Sequence, residues 1–152
     1  MKAICFKNRH FVTYLAAVFA TMMFSVATHA DNPANKVSAD AKVFIVEPAD
    51  GAVVPATFTI KFGASDVDIV PAGVMQENSG HHHLLVDMDE LPDLSAPLPA
   101  TEQVIHFGKA QTETEITLTP GTHTLQLVLG NFAHAPHATP VISKKITITV
   151  EE

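Results

Sequence analysis

Tryptophan is absent from this 152-residue chain, and cysteine, tyrosine and arginine occur once each, as Cys5, Tyr14 and Arg9. All three lie within the first 30 residues, which read as an export signal, so a mature chain of residues 31–152 has no Cys, Trp, Tyr or Arg. The missing thiol excludes a disulfide framework, thiolate metal ligands and a cysteine nucleophile. The missing arginine excludes a bidentate guanidinium clamp for phosphate or carboxylate. Basic residues fall to six lysines against sixteen acids, a formal net charge of −10 with histidine neutral. That charge repels a phosphate backbone, which argues against a nucleic-acid partner.

The leader carries Lys2, Lys7 and Arg9, then an uncharged apolar run over residues 11–27, then Ala27-Thr28-His29-Ala30 before Asp31. This order is that of a secretory signal peptide over residues 1–30, with cleavage after Ala30, or after Ala27 as the second site. An uncleaved anchor is the competing reading, because the run approaches the length of a short membrane span. Cys5 precedes the run and cannot become a lipid-bearing N-terminus. The expected location is periplasmic or secreted, with no membrane association once the signal is cleaved. Residues 31–41, with Asn32, Pro33, Asn35, Ser38 and Asp40, read as a flexible linker.

From residue 42 to residue 152 the chain reads as one domain of short alternating segments punctuated by Pro, Gly, Asp and Asn. Strands are expected at 42–47, 57–62, 82–88, 104–107, 113–118, 122–129 and 143–150. In the second, Phe58, Ile60 and Phe62 share one face and Thr57, Thr59 and Lys61 the other. Pro120-Gly121 marks a hairpin turn. No stretch shows sustained helical periodicity, and seven strands with one apolar face each need a second sheet to cover them. The fold class expected is therefore all-β, an immunoglobulin-like antiparallel β-sandwich. Residues 64–80 and 88–102 break the spacing, and Pro92, Pro97 and Pro99 send the second of these over the surface.

Seven histidines remain after the leader: His81, His82, His83, His106, His123, His134 and His137. On a strand His81 and His83 point to one face and His82 to the other, with the first two about 7 Å apart at Cα, close enough to share one ion. Imidazole suits copper, zinc, nickel and iron. Asp87 falls on the same face as His81 and His83, and is expected to orient a ring or to serve as a third ligand if the strand bends. His106 shares the parity of Val104, away from the core side of its strand. His123 shares the parity of Leu125, Leu127 and Leu129 and reads as a core or edge histidine. His134 and His137 lie in a loop stiffened by Pro136 and Pro140. The only sulfur ligands on offer outside the leader are Met75 and Met88.

The segments Val46-Glu-Pro48-Ala-Asp50-Gly51-Ala-Val-Val54-Pro55, Gly80-His-His-His-Leu-Leu-Val-Asp87, Ile105-His106-Phe-Gly108-Lys109-Ala-Gln111-Thr112-Glu113, Pro120-Gly121-Thr-His123-Thr-Leu125 and His134-Ala-Pro136-His137-Ala-Thr-Pro140 resemble the bacterial family DUF4399. The resemblance spans about residues 43–150 and implies a small exported β domain with recurring histidines. It matches all seven histidines and implies no activity. The Pro-x-Asp-Gly-Ala opening is also similar to periplasmic copper-carrier domains of the CopC type. Their N-terminal histidine is missing here, so their copper(II) site does not carry over.

The expected function is metal binding, with copper or zinc as the cofactor, held by His81 and His83 with His106, His134 or His137 completing the shell, in a carrier or buffer. The alternative is a non-enzymatic interaction module that docks another envelope protein or a polymer, with histidines that only build its loops. An enzyme is not expected. A superoxide dismutase-like copper site would have no arginine and a repelling charge, and there is no Gly-x-Ser-x-Gly elbow for a serine hydrolase.

Overall fold

A computed structural model describes residues 32–152, and the export signal assigned to residues 1–30 lies outside them. Alternating apolar and polar residues, with Pro and Gly between, give nine strands among the described residues. They are β1 (Lys42–Glu47), β2 (Val53–Val54), β3 (Thr57–Ser65), β4 (Asp68–Ile69), β5 (Ser79–Val86), β6 (Val104–His106), β7 (Glu113–Thr117), β8 (Gly121–Gly130) and β9 (Ile146–Val150). Strands β1, β3 and β7 form one antiparallel sheet. The other runs β2-β9-β8-β5-β4, with β6 also paired to β5. In that sheet β2–β9 and β4–β5 are parallel and the remaining pairs antiparallel. No helix among the described residues is long and apolar enough to cross a membrane.

The sheets close over one core, in which Phe58, Ile60 and Phe62 of β3 meet Leu84 and Val86 of β5, Leu125, Leu127 and Leu129 of β8, and Ile148 of β9. Leu84, Leu125, Leu127 and Leu129 are wholly buried, each contributing about 2 kcal/mol by removal from water. The fold is the immunoglobulin-like sandwich that strand alternation implies. Two of its nine strands, β2 and β4, are two-residue pairings too short to leave a pattern in the sequence. The last strand begins at Ile146 rather than at residue 143, because Ser143 takes a different role. Its hydroxyl accepts the backbone N–H of Leu127 at 2.8 Å and donates to the carbonyl of Lys144, so the chain bends before joining the ladder.

The larger sheet is covered on its outer side as well. Leu85, Leu98, Val104 and Val128 form a second small core there, with Met88, Leu94 and Ile142 packed against it. The proline-bearing segment 88–102 therefore lies across the sheet, and every residue of β5 is buried. A strand buried on both faces loses the solvent side on which polar residues normally stand, yet β5 carries three consecutive histidines there.

Residues 32–41, expected as a linker, lie against the sandwich. Pro33–Asn35 form a 3-10 turn capped by Asn32, with Ala34 and Asn35 buried. Asn35 Oδ1 accepts from Asn131 Nδ2 at 2.7 Å, and Lys36 O accepts from the backbone N–H of Asn78.

Candidate metal centre

Strand β5 divides its histidines by parity. His82 turns into the main core, with its ring 5.2 Å from that of Phe62. His81 and His83 turn to the outer face with Leu85, their ring centroids 4.8 Å apart. The far edge of β5 is shared: β4 pairs with Ser79 and Gly80, and β6 with His83, Leu84 and Leu85. The register of β6 sets His106 opposite His83, and being antiparallel and in register, the two side chains leave the sheet on the same side. His106 stands 4.9 Å from His81 and 5.1 Å from His83, centroid to centroid.

A fourth ring comes from the turn after β8. His134 holds φ at +63°, a left-handed conformation uncommon outside glycine, although histidine is among the residues that enter it most readily. Asn131 holds the turn there: its Oδ1 accepts the backbone N–H groups of Ala133 and Ala135 while its carbonyl accepts that of His134. The carbonyl of His134 in turn accepts from Leu98, tying the turn to the covering segment. The His134 ring lies 4.7 Å from His106, 5.1 Å from His81 and 6.2 Å from His83.

Two glycines make room for this packing. A methyl group on Gly130 would overlap the ring of His83, and one on Gly108 would overlap the ring of His106. Neither glycine has a positive φ, so the need is for space alone. Gly130→Ala should therefore push the His83 ring off its position, at an overpacking cost of about 1–3 kcal/mol, and weaken the cluster's affinity for any ion it holds by about tenfold or more. Metal titration beside a thermal melt reads both effects. A variant that melts normally and binds metal unchanged would contradict this geometry.

One ligand nitrogen from each of His81, His83 and His106 lies within 4.8 Å of the others, and this is the one such group of His, Cys, Asp or Glu among the described residues. His81 and His83 are 0% and 1% exposed, whereas His106 is exposed and forms the open side. Neither ring nitrogen of His81 has a hydrogen-bond partner among the described residues, nor has Nδ1 of His83. Leaving such groups buried without partners costs about 1–3 kcal/mol each. Burial first, then the charges of His106 and His134, lowers the pKa of His81 to about 4. Burial and the charges of His81, His106 and His134 take His83 to about 3, and burial alone takes His82 to about 4. His106 is also lowered, by burial and then by His134. The rings are thus neutral at pH 7, the form in which imidazole donates a lone pair to a metal. Three such nitrogens, with a fourth ring beside them, match the donor set of copper and zinc centres.

The remaining candidates lie elsewhere. His137 is buried beside Gly80, at the inner side of the sheet, and makes no ring contact with the four clustered histidines. Met88 packs in the outer apolar core and Met75 is 64% exposed. Asp87 does not orient His81 or His83. The strand ends at Val86, Asp87 takes φ +51°, and its carboxylate accepts from His123 Nδ1 at 2.6 Å and from the backbone N–H of Thr124 at 2.8 Å. The other ring nitrogen of His123 meets the carbonyl of Thr119 at 2.7 Å. A carbonyl only accepts, so both nitrogens carry protons and His123 is a cation paired with Asp87. Partial burial lowers its pKa, but the hydrogen bonds to Asp87 and Thr119 and the charge of Asp87 outweigh this and raise it. His123 is a structural residue that pins the β7–β8 turn to the end of β5. Sequence reasoning missed Gly108, Gly130 and Asn131, whose roles depend on register and turn geometry rather than on any motif.

Solved structures with a related shape include the endo-beta-1,4-mannanase from Thermotoga petrophila, at 13% identity and a TM-score of 0.45 over 74% of this chain and 20% of that one. The present chain thus spans about a fifth of the mannanase. The fibronectin(III)-like modules of Clostridium thermocellum CbhA align at 19% identity and a TM-score of 0.40, over 72% of this chain and 95% of that one. No curated protein matches the chain at a significant level. The family model for DUF4399, a domain of unknown function, matches residues 60–151, which include all seven histidines of the described residues. The chain belongs to the DUF4399 family.

Proposed function

We propose that this protein is exported to the periplasm or secreted, and that it binds a transition metal, copper or zinc, as a carrier or buffer. His81, His83 and His106 are the primary ligands and His134 lies within reach as a fourth. The observation that carries this reading is the convergence of the His81, His83 and His106 ligand nitrogens within 4.8 Å of one another, with both nitrogens of the wholly buried His81 unpartnered. A protein gains nothing by burying a polar ring without a partner, whereas a metal ion takes up the one lone pair that each neutral imidazole offers. The open side at His106 suits an ion that is taken up and released rather than locked in. Export rests on the order of residues 1–30.

Calorimetric titration of the purified protein with zinc and with copper in either oxidation state tests the reading. One ion per chain is expected, bound well below micromolar. If neither metal binds more tightly than about 10 µM, roughly −7 kcal/mol and within reach of scattered surface histidines, the reading is wrong.

A further inference from the structure

The four clustered rings carry no negative charge, and no carboxylate joins their group among the described residues. The one acid that the alternation of β5 would put on that face, Asp87, is turned away and satisfied by His123 and Thr124. An ion entering this centre therefore brings its full charge next to His81 and His83, which are 0% and 1% exposed. The cost of taking an ion out of water rises with the square of its charge, so a divalent ion pays about four times what a monovalent ion pays. Zinc centres built on three neutral histidines recover part of that cost by binding hydroxide at the open position. Here a fourth imidazole, His134, packs against His106, His81 and His83, and no arginine exists among the described residues to hold an anion in place.

We infer that the centre selects monovalent copper over divalent zinc and divalent copper. The inference rests on the metal-binding reading above and adds the charge of the ion. Copper(I) has a filled d shell and accepts three or four nitrogen donors without a required geometry, so the cluster meets its coordination needs while adding only one buried charge. Selection arises from the neutrality of the ligand set, since imidazole by itself does not discriminate between these ions.

The test is a set of competition titrations on the purified protein under anaerobic conditions. Copper(I) is supplied with ascorbate against bicinchoninate, and zinc and copper(II) are titrated against chelators of known strength. Copper(I) is expected to bind more tightly than either divalent ion by about a hundredfold or more. His134→Asp then adds a carboxylate at a position whose left-handed backbone aspartate tolerates, and it should tighten zinc by about tenfold while weakening copper(I). If that variant fails to fold, His106→Asp at the exposed edge serves the same purpose. Zinc or copper(II) binding as tightly as copper(I), or a ranking that an added carboxylate leaves unchanged, overturns the charge argument and leaves the metal-binding reading standing. Failure of all three ions to bind overturns both.

Discussion

His81→Ala lowers metal affinity by about 10²–10³-fold while leaving the metal-free protein close to its original stability. Metal binding in small structural sites is worth about 10–16 kcal/mol, so one ligand of four carries roughly 2.5–4 kcal/mol. His81 is the ring for which this applies most fully, being wholly buried and in contact with His83, His106 and His134. Without metal, two effects oppose. The substitution opens a cavity, which destabilises, but it also removes two buried nitrogens that have no partner among the described residues, each of which costs about 1–3 kcal/mol. His123→Ala should do the reverse. It leaves metal affinity alone and lowers stability, because it breaks the pair with Asp87 and frees the Thr119 carbonyl. Calorimetric titration and thermal melts of the two variants, with and without metal, separate the roles. Unchanged affinity in His81→Ala would remove His81 from the centre.

Mild acid should unfold the metal-free protein, and metal should oppose it. In the unfolded chain His81, His82 and His83 take up protons near their ordinary value of 6.5, whereas in the fold they resist protonation down to about 4, about 4 and about 3. Between those limits the unfolded state holds more protons, so stability is complete above about pH 6.5 and falls as the pH drops. The loss by pH 5 is on the order of 2 kcal/mol for each of the three. Their sum is comparable to the whole stability of a small domain. His123 works in the opposite sense. Its raised pKa favours the fold below its unfolded value, and that contribution fades only as the pH rises through the folded one. Bound metal excludes protons from the ring nitrogens and should shift the acid transition of the loaded protein to lower pH. Denaturant titrations at pH 7.5, 6.0 and 5.0, with and without metal, read the effect. A metal-free protein equally stable at pH 7.5 and 5.0 would show that these rings are not held neutral by burial.

Much of this site was visible in the residues, because a strand has a period of two. Parity alone separates His82 from His81 and His83, and turns His106 with Val104 away from the main core, where Phe107 lies instead. Parity has no power beyond the end of a strand. Asp87 falls in phase with His83, yet the left-handed turn at that residue sends it to His123. Register is equally silent in sequence, and the pairing of His83 with His106 depends on where β6 meets β5 across the long segment 88–102. His134 and His137 look equivalent in the loop sequence. Only the Asn131-centred turn distinguishes them, carrying one ring to the outer face while the other packs by Gly80. The complete burial of β5 was also unreadable, since it arises from a proline-bearing segment with no periodicity of its own.

Strand β6 is three residues long, and among the described residues it pairs with β5 alone. An ion shared by His83, His106 and His134 would join that short strand to its neighbour and to the turn after β8, and so close two long stretches of chain into rings. Such a junction acts as a reversible cross-link. Like a disulfide, it removes conformations from the unfolded chain, and more of them as the enclosed stretch lengthens. The described residues, which contain no cysteine, would then obtain from an ion the loop closure that disulfide-bonded domains take from sulfur, and would hold it only for as long as the ion stays.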